Sequence, residues 1–297
     1  MSSHLIPHAV LIGNSKGGVG KTSMTAHLAG YAAAAGWSVL AVDLDAQGNL
    51  SRDLGYRGET DNGKSLADAI AIKDPGQLKV LSVRPGLDVV SGGGELRRAE
   101  IALGADRLSD PNAVRTLGTV LSELAASYQL VVFDTPPATT AALVDAAFAC
   151  AGNLVIPTKI DEASIDGLEG TAERFAAAKQ SHNPLIRPLG VVLFAVGTQD
   201  TRMIANARAA LTDLLGDVVP VLDPTIRASR KAPVDMRSQG LLAPEYEAEA
   251  AGAEPWFEAV KRGEPARTFS QSASGLASDY QAVVTELLAR FSETAAA

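Results

Sequence analysis

The chain has 297 residues, 46% of them hydrophobic and 20% charged, with a formal net charge of −8. That length and composition suit one large α/β domain, or one domain with an appendage, around a sizeable core. A single cysteine, Cys150, argues against a disulfide framework or a cysteine metal cage, and the four histidines are scattered without ligand spacing.

No stretch reaches the ~18 apolar residues of a membrane span, and no basic region followed by a long apolar run opens the chain. A cytoplasmic protein is therefore expected. The negative net charge means that any nucleic-acid contact has to come from a local basic patch.

The first predicted strand is the apolar run at Ala9–Gly13. Ser15-Lys-Gly-Gly-Val-Gly-Lys-Thr22 follows, and an Ala-rich helix is expected over Lys21–Ala35, stopped by Gly36. A glycine-rich turn between strand and helix points successive N–H groups into one concavity, which suits a polyphosphate. Lys21 supplies a charge for β/γ phosphates, and the Thr22 hydroxyl suits Mg²⁺. Residues Lys16, Gly17, Gly18, Val19, Gly20, Lys21, Thr22 and Ser23 are the candidate nucleotide contacts. The chain departs from G-x-x-x-x-G-K-[ST] at Ser15, and it carries a second lysine, Lys16.

Further strands are predicted at Val39–Asp43, Leu87–Ser91, Leu130–Asp134, Leu154–Pro157, Gly190–Val196 and Val218–Leu222. They are continuous apolar runs, as in parallel strands covered on both faces. Helices are expected at Pro111–Ser127, Thr139–Cys150, Ser164–Gln180 and Thr201–Leu215. The alternation predicts a doubly wound, mostly parallel α/β sheet with ligands at the carboxyl ends of the strands. Residues 1–240 form the core. Glu245, Glu247, Glu249, Glu254 and Glu258 mark an acidic, irregular excursion at 241–277, and 278–297 reads as a C-terminal helix packing back on the core.

Asp43 and Asp45 end the second strand and point to the same side. A carboxylate there can hold Mg²⁺ or orient an attacking water, although a helix cap is the plainer alternative. Asp134 ends the strand Leu130–Asp134 in the manner of Walker B, and Pro136-Pro137 stiffens a loop able to act as a switch.

Taken together, Lys16–Thr22, Val42-Asp-Leu-Asp-Ala-Gln-Gly-Asn49 and Val132-Phe-Asp-Thr-Pro-Pro137 resemble the ParA family of partition ATPases, within the ParA/MinD superfamily of deviant Walker A P-loop NTPases. The resemblance covers roughly residues 8–240, and Asp279-Tyr280 resembles the family's closing helix. It implies ATP and Mg²⁺, with Lys21 on the β/γ phosphates, Thr22, Asp43 and Asp134 around the metal, and Asp45 activating water. Lys16 would contact the nucleotide of the partner subunit in a homodimer, in the manner of an arginine finger worth roughly 10³–10⁵ in rate. A ParB-like partner would stimulate hydrolysis. About eight residues precede the first strand, as in the short class without an N-terminal DNA-binding domain. Ala46 stands where many relatives have Pro. Thr225 and Ile226, in a loosely matching segment, are the candidates near the base.

The resemblance also implies non-specific DNA binding in the ATP state, for plasmid or chromosome segregation on the nucleoid. Arg227, Arg230, Lys231 and Arg237 are the candidate DNA contacts. Neutralising ~6 phosphates in a dimer gives a salt slope near −5. The plainer alternative is a solvated loop whose charges pair with nearby acids. A MinD-like spatial regulator at the membrane is the alternative function, but the last helix carries Asp279, Glu286 and Glu293 against Arg290, which anionic lipid would repel. Other cargo-positioning ATPases, a metallocluster carrier and a metabolic ligase share the fold. The lone Cys150 disfavours the carrier, and nothing resembles the substrate pocket of a ligase.

Overall fold

Aliphatic and β-branched runs without polar alternation set the strands, because a parallel strand is covered on both faces. The computed structural model describes residues 4–137, 141–197, 201–254, 258, 261–262, 269–270 and 273–296. Its strands are β1 (Ile6–Ile12), β2 (Val39–Asp43), β3 (Leu81–Arg84), β4 (Leu87–Val90), β5 (Leu130–Asp134), β6 (Ala151–Thr158), β7 (Arg187–Val196) and β8 (Ile226–Arg227). They form one sheet in the order β3-β4-β2-β5-β1-β6-β7-β8. Only β3 runs antiparallel to its neighbour among the described pairings. Every residue of β2, β5 and β6 is buried.

The helices are α1 (Lys21–Ala34), α2 (Leu50–Asp53), α3 (Lys64–Ile72), α4 (Leu96–Ser109), α5 (Thr116–Ala125), α6 (Ala141–Cys150), α7 (Glu162–Ser181), α8 (Thr201–Leu215), α9 (Ala232–Gln239), α10 (Ala243–Gly252) and α11 (Ala273–Ala296). They split into two layers. Leu66, Leu103, Leu121, Phe148 and Leu168 from α3–α7 close one face of the sheet. Met24, Leu28, Tyr246, Tyr280 and Leu287 from α1, α10 and α11 close the other. None of the described helices is long and apolar enough to cross a membrane.

Three elements differ from the sequence expectation. Val218–Leu222 is not a strand: a 3₁₀ turn at Gly216–Val218 leads into one bridge, Val221 to Val191. Pro220 has no N–H to give to a ladder, so the pairing cannot extend, and β8 takes the position beside β7. The helix expected over Pro111–Ser127 is split, with a 3₁₀ turn at Pro111–Arg115 ahead of α5. The segment after residue 241 is not irregular throughout. Pro244 in the first turn and the Glu245 carboxylate on the Leu242 N–H start α10, and the Tyr246 ring is fully buried. The remainder of 241–277 lies partly outside the described residues. The helix expected from Thr139 is described from Ala141, and residues 138–140 lie outside.

Two strand registers place the site. Asp43 pairs with Asp134 across β2 and β5, and Ile12 pairs with Asp134 across β1 and β5. The carboxyl ends of β1, β2 and β5 therefore line up at one edge, where the loop into α1 begins.

Candidate functional site

The loop between β1 and α1 is anchored before it turns. Asn14 Nδ2 donates to the Pro157 carbonyl at 2.8 Å, and Asn14 Oδ1 accepts from the Lys16 N–H at 2.8 Å. The Ser15 N–H donates to Thr171 Oγ1 at 3.0 Å, tying the loop to α7. Gly17 and Gly18 are exposed, Val19 is buried, and Thr22 and Ser23 are half-buried at the start of α1. Gly20 has φ 93°, and a Cβ there would stand 2.5 Å from the Phe194 ring. Both the backbone angle and the space therefore demand glycine.

The two lysines of the motif part company. Lys21 is buried and curls over the loop, with Nζ donating to the carbonyls of Asn14 at 3.0 Å and Lys16 at 2.8 Å. Burial lowers its pKa, while the carboxylates of Asp134 and Asp45 pull it back up. Lys16 reaches outward, and its Nζ meets Asp161 Oδ1 at 2.6 Å, with the lysine side chain 31% exposed.

The carboxylates cluster beside Lys21. Asp43 and Asp134 are fully buried, and burial raises the pKa of each, with like charge nearby adding to it. The nearby Thr22 hydroxyl opposes that shift. Oδ2 of Asp43 and Oδ2 of Asp134 have no hydrogen-bond partner. Two orphaned, buried carboxylate oxygens beside a threonine hydroxyl cost stability unless a cation meets them. That donor set fits Mg²⁺, which takes one or two carboxylates and completes its shell with water and phosphate. No group of three or more His, Cys, Asp or Glu side chains forms a metal cage among the described residues. A packing constraint keeps Asp43 in place: a Cβ on Gly92 would lie 2.5 Å from its Cγ. Asp45 is also buried; its N–H donates to Asp43 Oδ1, and its own Oδ1 accepts from the Gln47 N–H, each at 2.9 Å.

A cleft of about 690 Å³ opens beside the loop. Gly18, Gly20 and Ser23 form its floor, and Phe194, Ile226 and Arg237 are among its walls. Ile226 lines it from the core, whereas Thr225 is half-buried and does not line it. Asp53 and Phe194 are site residues that the sequence reading missed. Neither sits in a strand-end motif, and only the fold brings them to the loop.

Arg227 holds Asp279 with two nitrogens at 2.6 and 2.8 Å, and its N–H adds a third bond to the same carboxylate. Arg237 Nε donates to Asp53 Oδ1 at 2.7 Å. Arg230 and Lys231 are exposed, immediately ahead of α9. The plainer alternative, charges paired with nearby acids, thus describes Arg227 and Arg237.

Comparison with known proteins agrees with this geometry. A family model described as "AAA domain" matches residues 8–187. The chain is 34% identical over 184 residues to the cell division protein PomZ of Myxococcus xanthus, a match covering 61% of this chain and 55% of PomZ. It is 32% identical over 218 residues to the chromosome partitioning protein ParA of Caulobacter vibrioides, covering 70% of this chain and 78% of that one. The fold superimposes on the ATP complex of Cyanothece McdA with a TM-score of 0.72, at 21% identity and 97% coverage of each chain.

Proposed function

The chain belongs to the ParA family of partition ATPases, and from that premise we propose that it is an ATP-switched homodimer that hydrolyses ATP and binds DNA without sequence preference. In this reading Lys21 and the N–H groups of residues 17–22 hold the triphosphate. Thr22, Asp43 and Asp134 hold Mg²⁺, which when bound neutralises phosphate charge. Asp45, fixed through Gln47 and Asp43, orients and deprotonates the attacking water. A ParB-like partner bound to the cargo DNA accelerates turnover, and the protein resides on the nucleoid.

The observation that carries the reading is the outward course of Lys16. Its ion pair with Asp161 is exposed, and such pairs are worth about 0–1 kcal/mol. Exchanging a solvent-screened contact of that size for a more highly charged triphosphate in a covered dimer interface is favourable, because the same attraction is stronger where water is excluded. Lys16 would then place a cation on the partner's nucleotide where charge develops.

Light scattering and DNA anisotropy with and without ATP test this. Wild type dimerises and binds DNA only with ATP. Lys21→Ala loses both, Lys16→Ala loses the dimer, and Asp45→Ala keeps dimer and DNA binding while turnover stops. DNA binding indifferent to nucleotide refutes the proposal. The likeness to PomZ favours a second reading, in which a protein assembly is the cargo. Stimulation of turnover by such an assembly, and not by a centromere-bound protein, would select it.

A further inference from the structure

One carboxylate joins three elements around the cleft. Asp53 ends α2 and is 8% exposed. Its Oδ2 accepts from Ser23 Oγ at 3.1 Å, and its Oδ1 accepts from Arg237 Nε at 2.7 Å. Ser23 follows Thr22 directly in α1, on the floor of the cleft. Arg237 sits in the last turn of α9 and lines the same cleft. The Asp53 carboxylate therefore pins the α9 wall of the cleft to the helix that follows the phosphate loop.

The same wall has a second end. The eight residues of α9 form one hydrogen-bonded rod of about 12 Å, and exposed Arg230 and Lys231 stand at its N-terminus. A displacement of the wall at Arg237 carries those two cations with it. A nucleoside entering the cleft beside Gly20 would meet residues of α1 and of α9 together.

We propose that Asp53 is a positioning residue that couples nucleotide in the cleft to the basic end of α9. This rests on the partition reading for its DNA arm and on the cleft alone for its nucleotide arm. Arg237 is accordingly a part of the latch, its Nε held by Asp53.

The test measures affinity for a fluorescent ATP analogue, and DNA affinity against salt with and without ATP. Asp53→Asn keeps the volume and the Ser23 contact but removes the charge that holds Arg237. It weakens nucleotide binding about tenfold or more, the loss expected for a charge-assisted bond. The gain in DNA affinity on adding ATP shrinks in step, while the salt slope stays as in wild type. Arg237→Ala reproduces both effects, Arg237→Lys recovers part, and the double variant is no weaker than either single one. Ser23→Ala, the mildest change, gives a smaller loss of the same kind, and thermal unfolding shows that each variant is folded. Two results overturn the proposal. One is an additive double variant. The other is an Arg237→Ala protein with unchanged nucleotide affinity and a salt slope shallower by about 1 per subunit, which makes Arg237 a direct phosphate contact. A wild type without ATP-dependent DNA binding defeats the partition reading, and the Asp53–Arg237 cycle on nucleotide affinity still decides the latch.

Discussion

His27 makes folding of this protein sensitive to mild acid. The ring lies in α1, fully buried and stacked on Tyr280 with centroids 3.5 Å apart. The Ala243 N–H donates to Nε2 at 3.0 Å, so Nε2 is an acceptor, and Nδ1 carries the proton that it gives to the Ser23 carbonyl at 2.7 Å. Protonating Nε2 would set two N–H groups against each other in a buried site. Burial accordingly lowers the His27 pKa to about 4 from its ordinary 6.5. The folded-state value is depressed, so the unfolded chain binds the extra proton first. Stability from this group is complete above pH 6.5 and is lost as pH falls toward 4. A shift of roughly 2.5 pKa units corresponds to about 3 kcal/mol, of which about 2 kcal/mol is gone by pH 5. Asp43 and Asp134, whose values are raised, contribute with the opposite sign, so the His27 share is read as a difference. Urea unfolding of wild type and His27→Gln at pH 7 and pH 5 provides it: wild type loses about 2 kcal/mol more than the variant. An equal pH dependence in the two proteins, or a titration of His27 by NMR above pH 6, refutes the reasoning.

The buried carboxylate pair predicts a trade between stability and ligand. Asp134→Asn removes one of two facing charges, so the ligand-free protein gains about 1 kcal/mol by urea unfolding, while affinity for the Mg²⁺–nucleotide complex falls at least tenfold. Gly20→Ala meets both a positive φ and the Phe194 ring, and nucleotide binding measured by calorimetry is abolished. Adding Phe194→Ala relieves the clash but not the backbone strain, worth about 1–3 kcal/mol, so rescue is partial. DNA binding by the ATP-bound dimer shows a salt slope of about −4 if Arg230 and Lys231 of each subunit meet phosphate and the carboxylate-held Arg227 and Arg237 do not. A slope of about −7 would return Arg227 and Arg237 to the DNA interface.

The nucleotide end of the fold was legible because its chemistry admits few residues. Val39–Asp43 and Leu130–Asp134 are strands with the bounds expected from their apolar runs, and each ends in the carboxylate that marked it. Thr201–Leu215 is likewise helical over the expected residues. The segments that escaped notice owe their form to neighbours. Leu81–Arg84 pairs antiparallel at the sheet edge through β4 alone, and Leu50–Asp53 is one turn of helix, too short for a periodic signal. In α10 the Tyr246 hydroxyl donates to Asp235 at 2.8 Å and the ring is fully buried, so one aromatic anchor outweighs the acidic residues that made the segment read as solvated.

Charge is the property that a sequence reveals least about a surface. Arg227 and Arg230 are three residues apart and look alike in the sequence, yet the fold gives Arg227 the Asp279 carboxylate, 52 positions along the chain, and leaves Arg230 exposed. Arg237 finds Asp53 from 184 positions away, because α9 crosses the cleft beside α2. An arginine whose charge is balanced by a carboxylate attracts phosphate less than one that is not so balanced. A count of basic residues near 230 therefore overstates the attraction for a phosphate backbone. The same pairing that removes Arg237 from that count connects the phosphate-loop helix to the element bearing Arg230 and Lys231.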